Sequence, residues 1–198
     1  MMVKICGITS MDDAQAAVDE GASALGFNFY KASPRYITPL AAAGITALLP
    51  KDILKVGVFV NEAPAEVDAI ARTAGLDVVQ LHGKETVDQV PAGYRVWKAF
   101  RVTPDFSANM LREFPAAAFL LDSPTELYGG SGHTFDWNLA RNLGGRIILA
   151  GGLDASNVCR AVAVANPWGV DACSRLESAP GKKDRAKLTA FLRATKNL

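Results

Sequence analysis

The chain has 198 residues, 49% of them hydrophobic and 21% charged, with a formal net charge of +1. That length suits a single domain over 1–198, able to bury roughly 70% of the surface its unfolded chain exposes. The near-neutral balance gives no reason to expect nucleic acid or an anionic membrane as partner, and no run of about 18 apolar residues is present to span a bilayer.

Short β-branched or aromatic runs alternate with amphipathic stretches along the whole chain. The apolar runs predict strands at Val3–Cys6, Ala24–Phe29, Lys55–Val60, Val78–Leu81, Arg95–Phe100, Ala118–Asp122, Ile147–Ala150 and Gly169–Cys173. Between and after them the pattern predicts helices over Asp12–Glu20, Pro39–Leu49, Pro64–Ala74, Glu85–Val90, Ser107–Phe114, Asp136–Leu143, Ala155–Ala165 and Asp184–Lys196. Asp12 reads as a cap, Pro39 and Pro64 as first-turn residues, and Asp154 as a start signal before Ala155. Strict alternation argues for a parallel sheet with helices outside it, and eight units close such a sheet into a (β/α)8 barrel. An open doubly wound sheet is the alternative.

In a parallel barrel the chemistry lies at the carboxyl ends of the strands, and polar groups and glycines collect there in this chain. The first strand ends on Cys6 and the sixth on Asp122, a candidate base and a candidate acid. The seventh ends on Gly151-Gly152 before a helix, where exposed N–H groups suit an anion. With Ser174 after the eighth strand this forms a candidate phosphate cup. Arg35, in the loop after the second strand, is either a solvated surface residue or a planar partner for a substrate carboxylate.

The three cysteines, Cys6, Cys159 and Cys173, are far apart and form no Cys-x-x-Cys, which argues against structural zinc or a redox pair and fits a reducing, cytoplasmic setting. Cys159 reads as inert helix packing and Cys173 as barrel filling. An unperturbed thiol at Cys6 is only a few per cent thiolate at neutrality, so a base role requires positive potential nearby. Lys4, two residues earlier, faces the same side and reads as a buried ion pair with Asp171. A Schiff-base lysine, Lys4 or Lys98, is the sharper alternative. His82 and His133 lack metal-ligand spacing. Residues 128–132 read either as a loop able to fold over substrate or as a plain flexible linker, and Asp136 as a helix cap.

Read in order, Lys4-Ile5-Cys6-Gly7-Ile8-Thr9, Gly26-Phe27-Asn28-Phe29-Tyr30, Ser33-Pro34-Arg35-Tyr36 and Gly57-Val58-Phe59-Val60-Asn61 make a specific set. Gln80-Leu81-His82-Gly83, Leu121-Asp122, Phe135-Asp136-Trp137, Ala150-Gly151-Gly152-Leu153 and the stretch Glu177–Asp184 extend it. This set resembles the phosphoribosylanthranilate isomerase family of tryptophan biosynthesis, over essentially the whole chain. The resemblance implies a (β/α)8 barrel and an Amadori rearrangement of a small phosphosugar substrate, with neither metal nor organic cofactor, in a monomer or homodimer. It implies Cys6 as general base at C2 of the sugar, Asp122 as general acid at the ring oxygen, and Arg35 on the anthranilate carboxylate. Gly151, Gly152, Ser174 and Arg175 fall on the phosphate cup. One departure stands out: Cys173-Ser174-Arg175 occupies the place of the family's usual Ser-Ser-Gly.

Three rivals remain at this point. The related sugar isomerase of histidine biosynthesis uses an aspartate where Cys6 stands. A lysine-dependent aldolase would act through Lys4 or Lys98. A catalytically silent phosphate-binding barrel would have no use for both Cys6 and Asp122.

Overall fold

The computed structural model describes residues 1–124, 134–196 and 198, and in it eight parallel strands close a barrel in sequence order. They are β1 (Met2–Cys6), β2 (Ala24–Asn28), β3 (Leu54–Phe59), β4 (Val78–Leu81), β5 (Arg95–Arg101), β6 (Ala118–Asp122), β7 (Ile147–Leu149) and β8 (Gly169–Ala172). Both edges of β1 are paired, one with β2 and the other with β8, where Lys4 lies opposite Asp171. That second pairing removes the open edges a doubly wound sheet would keep.

Around the barrel lie α1 (Met11–Asp19), α2 (Pro39–Thr46), α3 (Pro64–Thr73), α4 (Asn109–Glu113), α5 (Val158–Ala165) and α6 (Arg185–Thr195). Two expected helices are reduced to single 3-10 turns, Val87–Gln89 and Trp137–Ala140. The first is short because Glu85 turns inward to bond the backbone N–H groups of Asn61 and Gly83. Asp136 does cap the second, accepting from Asn138 N at 3.1 Å. The cap of α1 is Ser10, not Asp12: its Oγ accepts from Asp13 N at 3.3 Å. Asp154 holds the turn before α5 by accepting from Ser156 N at 2.8 Å, so that helix starts only at Val158. A hairpin that the apolar pattern did not foretell, β9 (Glu177–Ala179) with β10 (Lys182–Lys183), follows β8.

Alternation along each strand divides the core in two. Outward residues such as Ile5, Leu25, Phe27, Val79, Leu121 and Leu149 pack under the helices. Inward Ala24, Val56, Val78, Trp97, Leu120 and Ile148 fill the barrel, with Trp97 edge-on to Trp168 at 6.1 Å near the amino ends. Each large apolar side chain so buried contributes about 1.5–3 kcal/mol relative to exposure. The apolar filling stops short of the carboxyl rim. There the inward positions become Lys4, Cys6, Gln80, Asp122 and Asp171, and a cavity opens.

Candidate active site

One cavity at the carboxyl rim is lined by all seven residues that the sequence nominates: Cys6, Arg35, Asp122, Gly151, Gly152, Ser174 and Arg175. No pair of them is adjacent through chain order alone except the glycines and Ser174-Arg175. Barrel closure assembles the rest.

The base side is built by β1, β2 and β8. Lys4 is fully buried, with Nζ donating to Asp171 Oδ1 at 2.9 Å. Burial disfavours its ammonium, but the charges of Asp171 and then Cys6 outweigh that, and its pKa lies above the ordinary lysine value. The partners move in opposite senses in stability terms. Burial pushes Asp171 up to about 7 against the pull of Lys4, helped by the negative fields of Cys6 and Asp122. We take the ion-paired form as the resting one, because the contact is short and direct while the opposing charges act from farther away. This is the pair the sequence suggested, and a charged lysine so engaged is not the free amine a Schiff base needs.

Cys6 is held well below the ordinary thiol range. The largest cause is a hydrogen bond from the Cys173 thiol; burial opposes it, and the nearby Lys4 and Lys183 charges add to the lowering. Cys173 is displaced upward, by that same bond first and by burial second. Its sulfur also lies 3.8 Å from Glu177 Oε1, a further reason for the negative charge to reside on Cys6. Cys173 is therefore part of the cavity wall, not mere filling. Gly26, register partner of Cys6, makes the room: a Cβ there would sit 2.8 Å from Cys6 Sγ and 3.0 Å from Lys4 Nζ.

On the acid side, Asp122 Oδ1 accepts from Ser123 N at 2.8 Å and Oδ2 lies 3.3 Å from His82 Nε2. The Gln80 amide nitrogen lies 2.9 Å from His82 Nδ1, and the Nε2 side of the ring faces Asp122. Gly151 shapes this corner. Its φ of +79° is a left-handed conformation, and an added Cβ would overlap Ser123 and stand 2.7 Å from Asp122 Oδ1. Gly151→Ala should therefore cost about 1–3 kcal/mol and also lower turnover by displacing Asp122. Thermal unfolding and activity of the variant check this; unchanged values for both would show that the corner relaxes freely.

Arg35 is buried, so the solvated-surface reading fails. Its Nε donates to Glu177 Oε1 and Oε2 at 2.9 and 3.0 Å, and its Nη2 donates to Oε2 at 2.7 Å. Lys183 Nζ reaches the same carboxylate at 3.0 Å. Burial would raise the Glu177 pKa, but the Arg35 hydrogen bonds and the Lys183 charge hold it below the ordinary glutamate range. Neither Glu177 nor Lys183 was nominated from sequence. They belong to the hairpin, which lacks an apolar alternation to flag it.

Across the cup, Arg175 Nη1 pairs with Asp154 Oδ2 at 2.9 Å, joining the loop after β8 to the loop after β7. Gly152, with φ +67°, accepts from Asn157 Nδ2 at 2.8 Å through its carbonyl. Lys98 is elsewhere. It points outward from β5, 2.6 Å from Glu85 Oε2 and near the Phe100 and Phe114 rings, and it does not line the cavity. Cys159 is exposed on α5, contrary to the packing expected of it. The loop 128–132 and His133 lie outside the described residues.

A family model described as N-(5'-phosphoribosyl)anthranilate (PRA) isomerase matches residues 3–194. A protein named N-(5'-phosphoribosyl)anthranilate isomerase from Solibacter usitatus is 60% identical over 197 residues, covering 99% of this chain and 98% of that protein. The crystal structure of phosphoribosyl anthranilate isomerase from Thermus thermophilus superimposes with a TM-score of 0.92 at 38% identity, covering 100% of this chain and 99% of that one. A second solved structure, a phosphoribosyl anthranilate isomerase in complex with reduced 1-(o-carboxyphenylamino)-1-deoxyribulose 5-phosphate, aligns over 100% of both chains with a TM-score of 0.87 at 38% identity.

Proposed function

The chain belongs to the N-(5'-phosphoribosyl)anthranilate isomerase family, and on that premise we propose that Cys6 and Asp122 are the general base and general acid of its Amadori rearrangement. The reaction turns N-(5'-phosphoribosyl)anthranilate into 1-(2-carboxyphenylamino)-1-deoxyribulose 5-phosphate, a step of tryptophan biosynthesis. The observation that carries the assignment is a cysteine thiol, its pKa lowered well below the ordinary thiol range, in the same cavity as a carboxyl group.

Asp122 gives a proton to the furanose ring oxygen as the C1–O bond breaks, leaving an iminium at C1. The Cys6 thiolate takes the proton from C2, and the electron pair forms the enolamine. Return of a proton to C1 and loss of the C2 hydroxyl proton give the aminoketose, and together these two transfers reset both groups. Each positioned acid or base typically contributes about 10²–10⁴-fold. Arg35 meets the anthranilate carboxylate. Because Glu177 occupies its Nε–Nη2 edge, the Nη1 end serves the ligand. The phosphate rests on the Gly151-Gly152 turn, Ser174 and Arg175, away from the reacting bond, where its binding supplies orientation.

No described helix is long and apolar enough to cross a membrane. The setting we infer is cytoplasmic, with one catalytic domain over 1–198 working as a monomer or homodimer on this phosphosugar. Turnover of freshly prepared N-(5'-phosphoribosyl)anthranilate is the direct test, and absence of turnover by folded protein would overturn the proposal.

Arg175 replaces a glycine common in the family and offers the phosphate a guanidinium already steadied by Asp154. Arg175→Gly should raise KM about tenfold with kcat little changed, as expected for a charge-assisted hydrogen bond made equally in ground and transition states. Steady-state kinetics check it, and an unchanged KM would mean that Arg175 serves Asp154 alone.

A further inference from the structure

Cys6 and Cys173 stand side by side at the rim. Ile5 is the register partner of Ala172, so the two cysteines follow at the ends of neighbouring strands. Neighbouring strands run about 4.7–4.9 Å apart, inside the Cα separation of about 4.4–6.8 Å that a disulfide spans. Both thiols are free, partly accessible, and line the same cavity. The Cys173 sulfur reaches over the end of β1, since a Cβ on Gly7 would come within 3.0 Å of it.

We propose that Cys6 and Cys173 form an oxidative modification site, at which a hydroperoxide converts the pair into an intramolecular disulfide and a low-molecular-weight thiol restores it. No spacing in the sequence announces this pair, because 166 residues separate its members (173 − 6 − 1) and only barrel closure joins them. In the first step the Cys6 thiolate attacks the peroxide, the O–O bond breaks, hydroxide (or alkoxide) leaves and the sulfur becomes a sulfenic acid, oxidised by two electrons. In the second, the Cys173 sulfur attacks the Cys6 sulfur, the S–S bond forms, the S–O bond breaks, and the thiol proton leaves with the hydroxyl as water. Thiolate character, access and an adjacent resolving thiol are the three conditions for such selectivity. Lys4 and Lys183 both supply positive charge to Cys6, and Lys183 Nζ also lies 4.0 Å from Cys173 Sγ. The exposed Cys159 on α5 instead donates to Ala194 O at 3.6 Å.

Disulfide formation stands on the register, access and thiolate character of the pair, whereas loss of activity on oxidation rests on the reading of Cys6 as general base. The test uses the full chain carrying Cys159→Ser, treated with hydrogen peroxide and then dithiothreitol, beside the same chain with Cys173→Ser added. In the first protein we expect a linked Cys6–Cys173 peptide with the loss of two hydrogen atoms. Activity should fall at least about tenfold relative to untreated protein and return with the thiol. In the second, Cys6 should be trapped as a sulfenic acid by dimedone, and longer oxidation should give losses that dithiothreitol does not reverse. Inactivation without the linked peptide, or equal recovery in both proteins, overturns the proposal. A linked peptide with activity intact would instead overturn the role of Cys6 while leaving the modification site standing. Mass readout of the peptides holds even if Cys173→Ser lowers basal turnover.

Discussion

Cys6→Ala and Asp122→Asn should each lower kcat by at least about 10²-fold, with much smaller changes in KM. The two groups serve successive steps on one substrate, so removing either leaves a barrier the other cannot reduce. The double variant should fall well short of the product of the single losses. The pH profile of the parent carries a second expectation. The base form is the thiolate, and its pKa lies below the ordinary thiol range, so activity is retained through neutrality and lost as pH falls. That acid limb belongs to the cluster of Cys6 with Cys173, Lys4 and Asp171 as a unit. A kcat/KM that instead climbs through about pH 8.5, where a free cysteine titrates, would show that nothing activates Cys6.

Lys4→Met carries the largest expected loss of stability. The substitution keeps the bulk of a side chain that is fully buried but removes the ammonium that donates to Asp171 in the barrel interior. An aspartate left there faces Cys6 and Asp122 without the ammonium that paired with it, and breaking such a pair typically costs about 3–5 kcal/mol. The pH dependence has a definite sign. The folded pKa of Asp171 already lies near 7 and rises further without Lys4, above the unfolded value of about 3.9. Its stabilising contribution is therefore full below the unfolded pKa and is lost as pH rises through the folded one. Urea unfolding at about pH 8 should show a larger deficit than at about pH 5. A deficit independent of pH would mean that lost packing, not stranded charge, is responsible. Lys4→Met combined with Asp171→Leu should recover most of the stability, since an apolar replacement of a buried pair is often neutral. In the single variant the acid limb of activity should also move up toward the ordinary thiol range.

The sequence announces the barrel because strand runs such as Val78–Leu81 and Ala118–Asp122 are bounded sharply and buried on both faces. Reading the carboxyl ends of those runs is enough to nominate Cys6 and Asp122. Inward alternation is enough to pair Lys4 with Asp171. What it does not reveal is how a polar side chain spends its hydrogen bonds across the fold. Glu85 looks like a residue of a helix and is instead a buried anchor for Lys98 and the loop after β3. Asp154 looks like a helix start and is held by Arg175. Arg35 owes its burial to Glu177, distant in the chain and set on a hairpin with no apolar signature. His82 and Gln80 are legible only as inward neighbours two residues apart, and their line to Asp122 needs the coordinates.

The reactive layer straddles the seam where the polypeptide's opening strand meets its eighth, Lys4 on one bank and Asp171 on the other. Asp171, Cys173 and Lys183, which act on Lys4 and Cys6 from across that seam, all lie beyond β7, so these contacts exist only once the eighth strand closes the ring.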